Sequence, residues 1–265
     1  MNPPDGTPPA LHHDRLRATS FGGEAALYDR ARPSYPDELI DDLVALKPKH
    51  VLDVGCGTGK VARLLATRGC DVTGVEPDPR MAAVARSRGF RVEVATFEAW
   101  EPAGRRFDLL VSGQAWHWVE PTYGAAKAAD LLVPEGHLAA FWNLGAHDPA
   151  VLALLDPVYR RVVPEIAAET TALRVPMRDQ RSRAESLQAA AGFGNVEVRS
   201  YPWEARYTRE QWLEFLATHS DHARLEPARR EELLAEVGAV IDGLGGTLLF
   251  YFQTVLILAT RAPAA

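Results

Sequence analysis

His50-Val51-Leu52-Asp53-Val54-Gly55-Cys56-Gly57-Thr58-Gly59-Lys60 decides the fold. Val51, Leu52 and Val54 suit a buried parallel strand, and the run crosses an acid before three closely spaced glycines. Gly55, Gly57 and Gly59 let backbone approach a ligand where any Cβ would clash. Val61-Ala62-Arg63-Leu64-Leu65-Ala66 then has helical spacing, so the turn joins a strand to a helix, the place where an open α/β sheet binds its cofactor. A dinucleotide fingerprint wants glycine at its first, third and sixth positions, but the sixth residue counted from Gly55 is Lys60. A phosphate-cradling P-loop fails too, because no Gly-Lys-Ser/Thr follows in register.

A second anchor lies in Cys70-Asp71-Val72-Thr73-Gly74-Val75, read as the next strand and ending at Glu76, 21 residues beyond Gly55. An acid at the tip of this strand accepts hydrogen bonds from both hydroxyls of an adenosine ribose. NAD enzymes share that feature, so it points to a ribose and not to one reaction. The glycine turn with its preceding Asp53 resembles motif I of class I S-adenosylmethionine-dependent methyltransferases. The resemblance runs through nearly all of residues 20 to 260 and is strongest at 51 to 59, 75 to 81 and 107 to 118. It implies S-adenosylmethionine as cofactor, with Glu76 and Pro77 beside the ribose and Met81 on the adenine; a core methionine is the other reading of Met81. The family's aspartate at the adenine edge is Thr96 here, which removes that carboxylate and leaves the Phe97 amide.

Tyr28…Arg32-Pro33…Tyr35-Pro36 is similar to the N-terminal segment of small-molecule methyltransferases of the trans-aconitate methyltransferase type. By that resemblance Tyr28 and Arg32 face the cofactor, Arg32 at its methionine carboxylate and Tyr28 also in the wall toward the substrate. A surface helix with a packed tyrosine and a solvated arginine is the plainer alternative.

Arg106 to Ser112 suits a central parallel strand that opens onto Gly113-Gln114-Ala115-Trp116-His117-Trp118-Val119. Carboxyl ends of strands face the crevice, so Gln114 is expected at the cofactor and Trp116 and Trp118 at the substrate. His117 is the candidate general base, with an orienting hydrogen bond or simple packing as its other roles. The strand His137 to Asn143 brings Trp142 and Asn143 to the same crevice. His219, in Thr218-His219-Ser220-Asp221-His222, is a further substrate candidate; adjacency of Ser, His and Asp is no triad, and no Gly-x-Ser-x-Gly elbow occurs.

The predicted architecture is α/β: a Rossmann-like seven-stranded sheet with an antiparallel last strand, helices on both faces and a helical cap. Residues 1–18, proline-rich and carrying His12-His13, read as a flexible tail, and 19–265 as one methyltransferase domain with lid insertions at about 149–191 and 205–245. The first insertion is expected to break at Pro157, Pro164 and Pro176. By the family resemblance, Pro134-Glu135-Gly136 is expected as a turn before the fifth strand.

At 265 residues and 47% hydrophobic, the chain suffices for one such domain. A net charge of -6 argues against a nucleic-acid partner. Cys56 and Cys70 make neither a metal motif nor a disulfide framework. Without a signal-peptide pattern or an apolar span, a cytoplasmic protein with no membrane partner is expected. Nothing in the pattern fixes an oligomeric state. Two rivals remain open: an NAD(P)-dependent oxidoreductase on the same fold, and a non-catalytic S-adenosylmethionine-binding protein.

Overall fold

A computed structural model of the chain describes residues 25–168, 170, 172–173, 184–185, 187–189 and 192–263. The predicted tail at 1–18 and the break at Pro176 lie outside them. Seven strands form one sheet in the order β3-β2-β1-β4-β5-β7-β6. They are β1 (His50–Val54), β2 (Asp71–Glu76), β3 (Arg91–Val94), β4 (Phe107–Gly113), β5 (Leu132–His147), β6 (Phe193–Thr208) and β7 (Thr247–Arg261). The first five run parallel, and β7 is antiparallel to both of its neighbours.

The order reverses between β1 and β4, so the loops leaving their carboxyl ends diverge and open a crevice. Helices α1 (Ala25–Ala31), α2 (Asp37–Ala45), α3 (Lys60–Ala66), α4 (Pro79–Ser87) and α5 (Pro121–Leu131) surround this half. Two apolar layers hold the sheet: Leu39, Leu43 and Leu65 pack with Val51 and Leu109 on one face, and Leu131 and Ala128 pack with Leu52 and Leu110 on the other. Strands buried on both faces need continuous apolar runs, and the sequence supplies them.

A third apolar cluster lies apart from these layers. The long ends of β6 and β7 carry Tyr207, Leu248 and Phe250 past the parallel strands. There they meet α6 (Pro149–Val162), α8 (Arg209–Ala217) and α10 (Pro227–Gly243) through Tyr159, Trp212 and Val237. Short helices α7 (Pro164–Ala167) and α9 (Ser220–Ala223) complete this cap over the crevice. The cap begins α8 with a capping box, in which Thr208 Oγ1 accepts from Gln211 N and the Gln211 side chain accepts from Thr208 N.

Two local expectations fail. Helix α6 runs through Pro157 without a break, because one missing N–H does not undo a helix whose apolar face is buried in the cap; Pro164 does start a new helix. Pro134-Glu135-Gly136 is not a turn ahead of the strand. β5 already begins at Leu132, and pairing with β4 jumps from Phe107↔Leu132 to Leu109↔His137, so the extra residues form a bulge with Glu135 at φ 62°.

Candidate active site

The glycine turn is tied to the end of β2: the amides of Gly55 and Cys56 both donate to the Val75 carbonyl, at 2.8 and 3.2 Å. Beside it Glu76, 6% exposed, accepts from Gly57 N with one carboxylate oxygen and from Asp78 N with the other, each at 2.9 Å. Each oxygen has a further lone pair, so the carboxylate keeps acceptor capacity for two adjacent hydroxyls. Gly57 lies at φ +55°, and a Cβ there would meet only Met81 Cε, at 3.5 Å, in the cavity that both residues line. Gly55 serves packing as well as ligand access, since a Cβ there would stand 2.5 Å from that of Ala115.

Beneath the turn Asp53 is buried, and neither carboxylate oxygen has a hydrogen-bond partner among the described residues. Burial pushes its pKa up to about 7; the nearby Ala62 amide opposes this, and the Glu76 charge adds to it. Burial likewise raises Glu76 to about 7, against the two amides that favour its charge. Between about pH 4 and 7 these two carboxyls therefore hold protons in the folded chain that they release in the unfolded one, and their share of the stability falls as pH rises, while the buried His147 and His219, held below the ordinary histidine value, shift it the other way. Asp53→Asn should remove the Asp53 part of that fall and recover about 2–4 kcal/mol at pH 8, read by thermal and urea denaturation at pH 6 and pH 8.

Helix α1 and the segment after it cover the turn. Asp29 accepts from Thr58 Oγ1 at 2.6 Å and pairs with the Arg88 guanidinium, while Lys60 donates to its backbone carbonyl. The Arg88 hydrogen bond is the main cause that holds its carboxyl down at about 2. An anion thus sits at the start of α3, where the helix dipole favours one. Arg32 lies 5.4 Å from the ring centroids of both Tyr28 and Phe215 and donates to Thr218 O at 2.8 Å. Its Nε is buried without a partner, and it makes no ion pair among the described residues. Tyr35 packs edge-on against Phe141 at 4.8 Å, close enough to Gly113 that a Cβ there would reach its hydroxyl at 2.6 Å.

At the end of β4, Gln114 adopts φ 59° and donates from Nε2 to Asn143 O at 3.2 Å. The next residues form a 3₁₀ turn, Trp116–Trp118. With about three residues per turn, side chains two apart point well away from each other. Trp116 therefore enters the core and packs on Phe97 at 5.8 Å, while His117 and Trp118 line the cavity with their rings 4.8 Å apart. Trp142 lies behind them, 3% exposed, and its indole Nε1 donates to His117 Nδ1 at 3.1 Å. Asn143 braces the wall: Oδ1 accepts from Thr254 Oγ1 at 2.7 Å, and Nδ2 donates to Ser34 O at 2.9 Å. Thr96 Oγ1 accepts from Ala99 N at 3.3 Å, so one of its lone pairs serves its own turn.

The cap closes the far end. His222, fully buried, has Nδ1 2.8 Å from Asp221 Oδ1 and Nε2 2.9 Å from the Tyr159 hydroxyl. His219 lines the cavity, and burial, with Arg32 and His222 beside it, holds its pKa well below the ordinary value. At the mouth Arg229 pairs with Glu165 at 2.8 Å, and Arg224 makes no ion pair among the described residues. The cavity has a volume of about 770 Å³ and is continuous from Glu76 and Met81 to Arg224 and Arg229.

Of the residues expected from sequence, Tyr28, Arg32, Gly55, Gly57, Glu76, Pro77, Met81, Thr96, Phe97, Gln114, His117, Trp118, Asn143 and His219 line this cavity. Four do not: Asp53 lies beneath the turn, Gly59 abuts Phe90, and Trp116 and Trp142 are turned into the core. Sequence reasoning missed Pro33, Tyr35, Lys60, Glu98, Thr170, Asp221 and Arg224. Pro33 and Tyr35 flank Arg32 and were within reach of the same pattern; the cap residues carried no signal. No group of three His, Cys, Asp or Glu among the described residues could hold a metal, and no helix among them is long and apolar enough to cross a membrane.

Residues 51–136 match the methyltransferase domain family. An uncharacterized methyltransferase of Mycobacterium bovis is 40% identical over 131 residues, which are 49% of this chain and 54% of that relative, about half its length. Trans-aconitate 2-methyltransferase of Mycobacterium ulcerans is 33% identical over 251 residues, 87% of this chain and 90% of the relative. A solved structure from Anaeromyxobacter dehalogenans, assigned as a type II methyltransferase, has the same fold: TM-score 0.66, 23% identity, 88% of this chain and 99% of that one. The order of its strands, the carboxylate at the tip of β2 and the full-length relative together identify the chain as a member of the class I S-adenosylmethionine-dependent methyltransferases, in the group that includes trans-aconitate 2-methyltransferase.

Proposed function

We propose that this chain transfers a methyl group from S-adenosylmethionine to a small organic acceptor bound between β4 and the cap. The observation that carries the reading is the single cavity running from Glu76 to the cap, whose volume of about 770 Å³ suits two small molecules side by side. The residues fit the cofactor. Glu76 keeps acceptor capacity for ribose hydroxyls, Met81 and Phe97 offer apolar surface to adenine, and Arg32 has no carboxylate of its own and would take that of the methionine moiety.

Held by Glu76, Met81 and Arg32, the cofactor would supply an electrophilic methyl for direct displacement by the acceptor's lone pair. The chain's part is alignment and exclusion of water. Tyr28 and Trp118 give electron-rich faces near the cationic centre, worth about 0.5–2 kcal/mol. Asp29 disfavours the oxidoreductase reading, because a diphosphate at the start of α3 would meet its carboxylate.

The relative named for trans-aconitate takes a tricarboxylate. Here the mouth opposes Arg224 and Arg229 with Glu165, Asp221 and Glu226, and Arg229 is already paired. An acceptor with fewer carboxylates fits this balance better. Incubation with methyl-labelled S-adenosylmethionine and a panel of organic acids, phenols and amines, trans-aconitate included, with mass detection, is expected to yield a methylated acid carrying fewer carboxylates. Cofactor binding with no methylated product across the panel would favour a non-catalytic binding protein.

A further inference from the structure

We propose that Trp142 fixes His117 as a hydrogen-bond donor toward the cavity, so that the imidazole orients the methyl acceptor and does not take a proton from it. The proposal deepens the methyl-transfer reading and rests on it for the identity of the ligand. An indole N–H donates and never accepts. The 3.1 Å bond from Trp142 Nε1 therefore makes Nδ1 of His117 the lone-pair nitrogen, and the neutral ring carries its proton on Nε2. A ligand that bonds this ring through Nε2 meets a donor and must bring the lone pair itself.

A base acting at Nε2 would need the other tautomer, with the proton on Nδ1. That proton would face the Trp142 N–H, and so would the Nδ1 proton of the imidazolium that a base becomes. Either state turns the hydrogen bond into two opposed donors. The indole has little room to evade the conflict. Trp142 is 3% exposed on β5 and stands opposite Val255 of β7, in the layer that also holds Trp116 and Leu144. His117 is held in turn by the 3₁₀ turn between β4 and α5, with its ring against that of Trp118 at 4.8 Å.

The consequence is chemical. An acceptor whose attacking atom is already a free lone pair, such as a carboxylate oxygen or an unprotonated nitrogen, is oriented by His117. A phenol or an alcohol would have to lose its proton elsewhere. Trp142 is a positioning residue: it lines no part of the cavity and acts through the imidazole.

The test is a spectroscopic reading of the tautomer. Full-length protein labelled with ¹⁵N-histidine is recorded ligand-free at neutral pH, and the His117 signals are assigned by their loss in His117→Gln. The expected pattern has Nδ1 in the lone-pair range and Nε2 in the protonated range, and Trp142→Phe, which removes the indole N–H, shifts it to a mixture of tautomers. A protonated Nδ1 in the native chain overturns the proposal, and so does an unchanged pattern in a folded Trp142→Phe. Should that variant not fold, the native spectrum decides alone. Because no acceptor or cofactor enters the measurement, its outcome is separate from that of the methyl-transfer reading.

Discussion

Gly57→Val should leave a folded chain that binds S-adenosylhomocysteine at least about 100-fold more weakly, a loss of about 3 kcal/mol. Inside the protein the new Cβ meets only Met81 Cε at 3.5 Å, the end of a flexible side chain, so the Cβ itself displaces no backbone or core atom. The backbone cost is that of one non-glycine residue at φ +55°, about 1–2 kcal/mol, which a domain of this size withstands. The branched side chain instead fills the space beside Met81 where a ligand would lie against Gly57 backbone. Gly55→Ala makes the contrast, because its single added methyl would sit 2.5 Å from the Ala115 Cβ and should disturb folding itself. Circular dichroism and calorimetric titration of the two variants separate a ligand contact from a packing contact.

Glu76→Gln should weaken the same ligand about 100-fold or more. The carboxylate now accepts one backbone N–H on each oxygen, from Gly57 and Asp78. An amide can satisfy only one of them and turns its NH₂ against the other, so the side chain must rotate or leave a donor unmatched. Ribose hydroxyls would also lose charge-assisted acceptors, each worth about 1.5–3 kcal/mol. The same substitution removes an acid that burial raises to about 7, so folding stability at pH 8 should change far less than affinity does. A calorimetric titration beside a urea melt at pH 8 reads both quantities.

Much of this was legible in the chain because the decisive contacts are local. Strand β1, the glycine turn and the tip of β2 come within one strand–helix–strand unit, so the 21-residue step from Gly55 to Glu76 reads the site before any long-range packing is known. The antiparallel pairing of β6 and β7 was expected from the family resemblance, not from any local pattern. Choosing between Trp116 and Trp118 required the 3₁₀ turn that sends one ring inward and the other to the cavity, and three adjacent residues alone do not reveal it. Trp142 looked like a wall residue because it ends an apolar strand, but its strand parity faces the core and its indole reaches His117 from behind. Asp221, Arg224 and Thr170 belong to cap segments brought together by the packing of α6 against α10, and no periodicity links them. Asp29 escaped notice because its role depends on α1 lying over Thr58 and Arg88.

The bend after β1 is expected to receive an adenosyl amino acid and not a diphosphate. Titration of the purified chain with S-adenosylhomocysteine and, separately, with NADH tests it directly. Saturable binding of the first, lost in Gly57→Val, and none of the second is expected; saturable NADH binding with no response to S-adenosylhomocysteine would overturn the methyltransferase reading.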